Sequence, residues 1–296
     1  MEIGANTRLL AVLGDPVAHS LSPAMHNAAI RALGLDAVYV GLRVHAAALT
    51  DVLKALTAVG AAGNVTVPHK EAVERHVARK TDACAKAGAC NTFWVDDGVL
   101  VGDNTDVAAV RGALAALGAD GTGRWLVIGT GGAARAVAIA AAAAGADLRV
   151  RSRAPERAKR FVSWAAAQGA RAAVWKEGEA TDVALNATPL GLAQADPLPV
   201  DPAGLAGVRY ALDMVYVAGQ TRWVQALRAA GVVAADGREM LVRQGAAAFD
   251  RFFPGANAPI DVMRAAVSRR SGPNALAGRR PRPGAACAAR CARKRR

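Results

Sequence analysis

The sequence has no apolar run long enough to cross a bilayer. The longest, Ala136 to Ala144, has nine residues, about half of the roughly 20 that a membrane helix needs, so no membrane partner is expected. Nor is a signal peptide expected. MEIGANTRLLAVLG carries Glu2, a single early arginine and no small-residue cleavage site behind a long apolar stretch, and it is read as a strand. Cysteine is scarce: Cys84, Cys90, Cys287 and Cys291 form no CxxC pair. That spacing excludes the usual zinc motifs, so no metal is expected, and free thiols in a reducing cytoplasm suit the chain. No internal repeat is visible.

Acidic residues are also few, 24 against 37 basic ones, for a formal charge of +13. The excess is concentrated at one end. Residues 269 to 296 hold ten basic residues and no acid, so the first 268 carry 27 minus 24, or +3. This tail is rich in Pro, Gly and Ala and has no apolar period, so it is expected to be disordered. A nearly neutral body and a solvated tail make nucleic acid an unexpected partner.

At 296 residues the chain exceeds what one core usually organises, which predicts two domains of roughly 100 to 150 residues. Short apolar runs at Arg8 to Leu13, Val38 to Leu42 and Asn64 to Val67 read as strands. Helical spacing lies between them at Pro23 to Leu33 and Leu49 to Val59, with Ser22 as the expected N-cap. Phe93 to Asp97 and Val99 to Val101 read as a hairpin or bend about Gly98. A second alternating unit follows: strands at Trp125 to Ile128, Asp147 to Arg151, Val183 to Asn186 and Tyr210 to Asp213. Helices are expected from the glycine turn to Ala144, at Pro155 to Ala167, Gln220 to Ala230 and Glu239 to Phe252, and at Ile260 to Val267. Alternation of this kind predicts an α/β fold with largely parallel sheets.

Gly129-Thr130-Gly131-Gly132-Ala133-Ala134 follows an apolar strand and opens an alanine-rich helix. This is the setting in which G-x-G-x-x-G/A binds a dinucleotide. The first glycine permits the turn, the second lets the backbone approach a pyrophosphate, and the small sixth residue lets helix pack on strand. NAD sites usually carry a carboxylate about twenty residues further on, at the end of the second strand. Here the chain reads Arg149-Val150-Arg151-Ser152-Arg153, with Arg157 one helical turn later. Arginines suit a 2′-phosphate, so NADP is favoured over NAD.

In the first half, polar clusters fall at predicted strand ends: Ser20-Leu21-Ser22, Asn64 to Lys70, Asn91-Thr92 and Asp103 to Asp106. Such groups can bind a polyhydroxy carboxylate and exchange a proton with it. Lysine is otherwise rare, seven against thirty arginines, which singles out Lys70. Each residue alone reads more readily as a turn or cap than as a ligand; only the combination argues for a site.

GDPVAHSLSPAMHN, NVTVPHK, AGACNT, GDNTD, GTGGAARA, NATPLG, DMVY and MLVRQ stand in this order from residue 8 to about 265, and the chain resembles the shikimate dehydrogenase family. The resemblance implies an α/β substrate domain with a mostly parallel sheet, completed by C-terminal helices, and a Rossmann NADP domain between them. The corresponding divisions are 1–105, 106–237, 238–268 and a basic tail, 269–296. It implies a cytoplasmic enzyme of the route to chorismate and the aromatic amino acids, reducing 3-dehydroshikimate to shikimate with NADPH; a homodimer is compatible with it. Lys70 and Asp106 would be the catalytic pair. Ser20 and Ser22 would bind the substrate carboxylate, Thr66, Asn91 and Gln244 the ring hydroxyls, and Tyr216 would lie beside the substrate. Gly129, Gly131, Gly132 and Ala133 would meet the pyrophosphate, and Ser152, Arg153 and Arg157 the 2′-phosphate. Asn186, Thr188, Met214 and Gly237 would complete the cofactor site. Three departures are visible: Val107 after the DNTD motif and Glu239 before MLVRQ, where the family commonly has glycine, and Ser152-Arg153-Ala154 for the family's NRT. The alternatives are a quinate or aminoshikimate dehydrogenase using NAD or NADP, and a non-catalytic protein that senses dinucleotide.

Overall fold

The structure, a computed structural model, describes residues 3–270. The basic tail therefore lies outside the described residues, apart from Arg269 and Arg270, which close the last helix instead of opening a tail.

The first half runs β1 (Arg8–Gly14), α1 (Ser22–Ala32), β2 (Ala37–Arg43), α2 (Leu49–Ala58), β3 (Ala62–Val65), α3 (Lys70–His76), β4 (Arg79–Lys80), α4 (Asp82–Ala87), β5 (Thr92–Asp96) and β6 (Val99–Asp103). Its sheet has the order β2-β1-β3-β5-β6-β4. The crossovers keep β2, β1 and β3 parallel, whereas β5 lies antiparallel to both β3 and β6. The β5–β6 pair is closed by a hairpin at Asp97-Gly98, whose φ values of 52° and 72° give the doubly positive turn that matches strand twist. Alternation on β1 buries Leu10 and Val12 on one face and Ala11 and Leu13 on the other. Each fully buried leucine contributes about 1.5–3 kcal/mol relative to exposure.

The second half runs α5 (Asp106–Ala116), β7 (Arg124–Ile128), α6 (Gly132–Ala144), β8 (Asp147–Arg151), α7 (Pro155–Ala167), β9 (Arg171–Val174), β10 (Val183–Asn186), β11 (Tyr210–Asp213), α8 (Arg222–Ala229), β12 (Val233–Ala235), α9 (Gly237–Phe252) and α10 (Ile260–Arg270). Its six strands, ordered β12-β11-β10-β7-β8-β9, are all parallel. This is a doubly wound Rossmann-type sheet, with the crevice for a dinucleotide at the strand carboxyl ends where the order reverses beside β7. The molecule thus has two α/β domains.

The chain then returns to the first sheet. From α9, Val242, Ala246 and Phe249 enter the core that Leu10, Met25 and Ile30 also occupy. Gly245 makes that approach feasible, since a Cβ there would lie 2.1 Å from Met25 Cε. Glu239 on α9 accepts from Arg243 one turn on and from Arg264 of α10, so this departure from the family pattern ties the two closing helices together. Val107 packs at the core of the second domain.

Candidate active site

A cleft of about 210 Å³ opens where the carboxyl ends of the two sheets face one another. Lys70 enters it as the first residue of α3, and Asp106 as the first residue of α5. The two start 36 positions apart in sequence, yet Lys70 Nζ donates to Asp106 Oδ2 at 2.6 Å. Their side chains are 23 % and 9 % exposed, so the pair is screened from bulk water on most sides and open only to the cleft.

Beside this pair, Asn91 is held from below. Its Oδ1 accepts from the Thr105 N–H (2.8 Å) and from Thr92 Oγ1 (3.0 Å), while its Nδ2 donates to Thr105 Oγ1 (3.1 Å). Asn64 extends the lattice: Nδ2 donates to Thr92 Oγ1 and to the Asn91 carbonyl, and Oδ1 accepts from the buried Tyr39 hydroxyl at 2.7 Å. These groups are buried, and such a lattice is stable only when nearly every donor and acceptor is paired. Burial also pushes the Tyr39 hydroxyl well above its usual pKa, so it remains a donor to Asn64.

Ser20, Ser22, Thr66, Tyr216 and Gln244 line the same cleft. Burial raises the Tyr216 hydroxyl as well, against a hydrogen bond with the Leu21 backbone. Ser22 is not the N-cap that the sequence suggests. The cap position falls on Leu21, no side chain caps the helix there, and Ser20 Oγ accepts from the Ser22 N–H at 3.3 Å. Proline near the start of α1 shortens the need for a cap, because it has no N–H to satisfy. Gln244 donates to the Leu241 carbonyl.

Across the cleft stand Ala133, Met214 and Gly237. Gly237 is the first residue of α9, and a Cβ on it would fall 2.4 Å from the Met214 carbonyl oxygen. Only glycine lets that helix start against the Met214 strand end. Beyond Ala133 a groove of about 420 Å³ runs over the end of the second sheet, lined by Gly129, Gly131, Ser152, Arg153, Arg157 and Thr188, with Thr130 also on its wall. Gly129 has φ 116°, and a Cβ there would meet the Ala187 carbonyl oxygen at 2.8 Å. Around Gly131 and Gly132 nothing lies within 4 Å of where a Cβ would be. This leaves the N–H groups at the start of α6 facing open space, as a phosphate requires.

Several expectations need correction. Asn186 is fully buried and lines neither space; its amide donates to Asp213 and Leu190, and its oxygen accepts from Thr188. It positions Thr188 and has no free face for a cofactor. Arg149 is paired with Glu179, and Arg151 donates to the Pro199 carbonyl while lying over Trp175. Of the arginine cluster, only Arg153 and Arg157 remain exposed on the groove. Gly132 lines neither cavity and stands at the helix start between them. Sequence reasoning placed Asn64 in a polar cluster without giving it a role, and it missed the cleft residues Val12, Val65, Met240 and Leu241. Asn64 was signalled by an amide inside an apolar strand; the four apolar residues carry no signal that separates cleft wall from core.

Among the described residues, no cluster of His, Cys, Asp or Glu could hold a metal, and no helix is long and apolar enough to cross a membrane.

Comparison with known proteins agrees with this geometry. A family model described as the shikimate dehydrogenase substrate binding domain matches residues 12–93, and one described as the shikimate 5′-dehydrogenase C-terminal domain matches residues 237–267. The shikimate dehydrogenase (NADP(+)) of Moorella thermoacetica is 39% identical over 276 residues, covering 89% of this chain and 93% of that protein. Among solved structures, the Thermus thermophilus shikimate 5-dehydrogenase in complex with NADP(H) and shikimate superposes with a TM-score of 0.80 at 36% identity, over 89% of this chain and 99% of that one. The ligand-free 5-ketofructose reductase of a Gluconobacter species also reaches 0.80, at 28% identity, over 90% and 99% of the two chains.

Proposed function

The chain belongs to the shikimate dehydrogenase family, and from that premise we propose that it catalyses the reversible, NADPH-dependent reduction of 3-dehydroshikimate to shikimate. The observation that carries the reading is the Lys70–Asp106 pair, 2.6 Å apart at the wall of a polar cleft whose opposite wall begins the glycine turn.

The groove fits NADPH on its own chemistry. It offers unpaired helix N–H groups, glycines without a neighbour at the Cβ position, and two exposed arginines for a 2′-phosphate. When bound there the cofactor supplies hydride, and the remaining work falls to side chains. Ser20 and Ser22 hold the substrate carboxylate, and Thr66, Asn91 and Gln244 the ring hydroxyls. Tyr216 packs at the substrate's edge. Asn91 is suited to this because its own lattice fixes the amide before a ligand arrives, which avoids the ordering cost at binding. Lys70 Nζ stabilises the negative charge that develops on the carbonyl oxygen and donates the proton that makes it a hydroxyl; Asp106 orients the ammonium and accepts from the substrate. Met214 and Gly237 bound the nicotinamide end, and Asn186 acts through Thr188.

We further assign residues 1–105 and 238–268 to the substrate domain and 106–237 to the cofactor domain, because the two sheets and the return of α9 divide there. A cytoplasmic site accords with Cys84 and Cys90, both free and buried. β2 ends its sheet among the described residues, with the Tyr39 N–H and carbonyl held by the Asn27 side chain, and a homodimer would pack against this edge; sedimentation at micromolar enzyme tests it.

Because a 5-ketofructose reductase shares the fold, substrate identity needs a direct assay. Rates are to be measured with shikimate and quinate, each with NADP+ and NAD+. Shikimate with NADP+ is expected to be the fastest of the four pairs, and turnover confined to quinate with NAD+ would overturn the reading.

A further inference from the structure

Arg135 belongs to the second domain yet makes its polar contacts in the first. It is the fourth residue of α6, one turn into the helix whose N-terminus faces the cofactor groove, and its backbone N–H donates to Gly131. Its Nη1 donates to the Ala87 carbonyl at 3.2 Å and reaches the Gly88 carbonyl at 3.5 Å, the free carbonyls at the end of α4. Glu71, the neighbour of Lys70, lies 3.8 Å away through Oε1. The guanidinium is backed by Trp164 of α7, 5.3 Å from the ring centroid, and so is braced from its own domain.

The turn it grips leads directly to the substrate side. After Gly88 the chain is pinned residue by residue: the Ala89 carbonyl accepts from Asn104, the Cys90 N–H donates to the Lys70 carbonyl, and the Asn91 N–H donates to Asp103. Displacement of Ala87 and Gly88 would thus be passed on to Asn91 and to the start of α3. Gly88 is shaped for the contact. Its φ is 56°, and a Cβ on it would approach Arg135 Nη1 to 3.1 Å. Around the guanidinium, Ala87 and Ala89 from the first domain pack on Ile139 from the second, with Val107 and Trp164 alongside. Here small side chains let α4 and α6 come close.

Resting on the functional reading above, we propose that Arg135 is the positioning residue that couples the two halves of the site. By tying α6 to the α4–β5 turn, it makes occupancy of the cofactor groove favour the substrate-binding arrangement of Asn91 and Lys70. Coupling between two sites is reciprocal and is typically about 5- to 150-fold in affinity. A residue that merely stabilised the fold would change neither ligand's effect on the other.

The test measures NADP+ affinity by calorimetry with and without saturating 3-dehydroshikimate, the ketone that cannot pass hydride to an oxidised cofactor, for wild type, Arg135→Met and Arg135→Lys. In wild type, 3-dehydroshikimate is expected to tighten NADP+ by about tenfold. In Arg135→Met the tightening should fall below about twofold, with affinity for NADP+ alone within about threefold of wild type and a reduced kcat; Arg135→Lys, which keeps the charge, should recover part of the coupling. Undiminished tightening in Arg135→Met overturns the proposal. So does a tenfold loss of NADP+ affinity without 3-dehydroshikimate, which would make Arg135 a direct cofactor ligand, and so does a wild type without coupling. A wild type that turns over quinate and not shikimate overturns the functional reading instead, and the same three proteins are then compared with the ketone of quinate.

Discussion

The substrate cleft and the cofactor groove sit at the carboxyl ends of two similar sheets but are built from different materials. In the cleft, recognition groups are side chains fixed by one another: Asn91 by Thr92 and Thr105, Asn64 by Tyr39, Lys70 by Asp106. In the groove they are backbone N–H groups at a helix start together with two exposed arginines that have open space before them. A small ring with several hydroxyls demands angular precision, which buried, mutually paired side chains can supply before binding. A long anionic cofactor demands charge and close backbone approach, which a glycine turn and mobile cations can supply. Losses in the cleft should therefore fall on the chemical step, and losses in the groove on cofactor affinity.

The sharpest attempt to break this contrast is Lys70→Ala. It should lower kcat by about two to four orders of magnitude, the range of a lost general acid, while the shikimate KM stays within tenfold. Steady-state kinetics decide it, and a kcat near that of wild type would remove Lys70 from the mechanism. In the groove, Arg153→Ala combined with Arg157→Ala should instead raise the NADP+ KM by about 10- to 100-fold and leave the NAD+ KM nearly unchanged, because only the 2′-phosphate loses partners. The wild-type preference for NADP+ should shrink as salt rises, since both arginines are exposed. Equal damage to both dinucleotides would place these arginines elsewhere in recognition.

A smaller test separates two kinds of glycine within one turn. At Gly129 the φ of 116° and the nearby Ala187 carbonyl oppose any side chain, so Gly129→Ala should destabilise the ligand-free protein by about 1–3 kcal/mol. Nothing lies within 4 Å of the Cβ position at Gly131. Gly131→Ala should leave the melting temperature unchanged and weaken NADP+ only, by several-fold. If both variants melted alike, the distinction between strain and ligand approach would be lost.

The uneven legibility of the two regions follows from the same contrast. The second domain could be read almost entirely along the chain: its glycine turn adjoins its strand and helix, and β8, α7, β10 and β11 have the boundaries their apolar pattern predicts. Short edge elements escaped, β9 because its burial does not alternate and β12 because it has three residues, and so did α5, whose run of alanines blurs the apolar period. In the first domain, α3 and α4 are shorter than two full turns and leave little periodicity to detect, although Thr81 caps α4 and Gly88 ends it. The cleft is made by strand order, which brings 64, 91 and 106 together, and no local pattern contains that order. The family resemblance gathered most of its residues; it did not tell the buried Asn186 from Thr188, half-buried on the groove, or say that Glu179 and Pro199 occupy Arg149 and Arg151. Those distinctions depend on partners far away in sequence.

A buried histidine supports the cleft from behind. His26 is fully buried, stacked 4.3 Å from Tyr39 with an interplanar angle of 6°, and neither ring nitrogen has a hydrogen-bond partner. Burial lowers its pKa from 6.5 to about 3, with the neighbouring Asn64 side chain opposing the shift. The unfolded chain therefore binds a proton on this ring at a pH where the folded chain does not. The associated stability is fully present above the unfolded value near 6.5 and is lost progressively as pH falls toward 3, by at most about 1.4 kcal/mol per pH unit. His26→Phe keeps an aromatic ring on Tyr39 and leaves no acceptor or donor newly unpaired. Urea unfolding across this acidic window should show a shallower loss for His26→Phe than for wild type, with both proteins similar above pH about 7. Parallel slopes would mean that the ring gains a proton inside the fold, and that the floor beneath Asn64 and Asn91 is wetter than the cleft's pairing pattern requires.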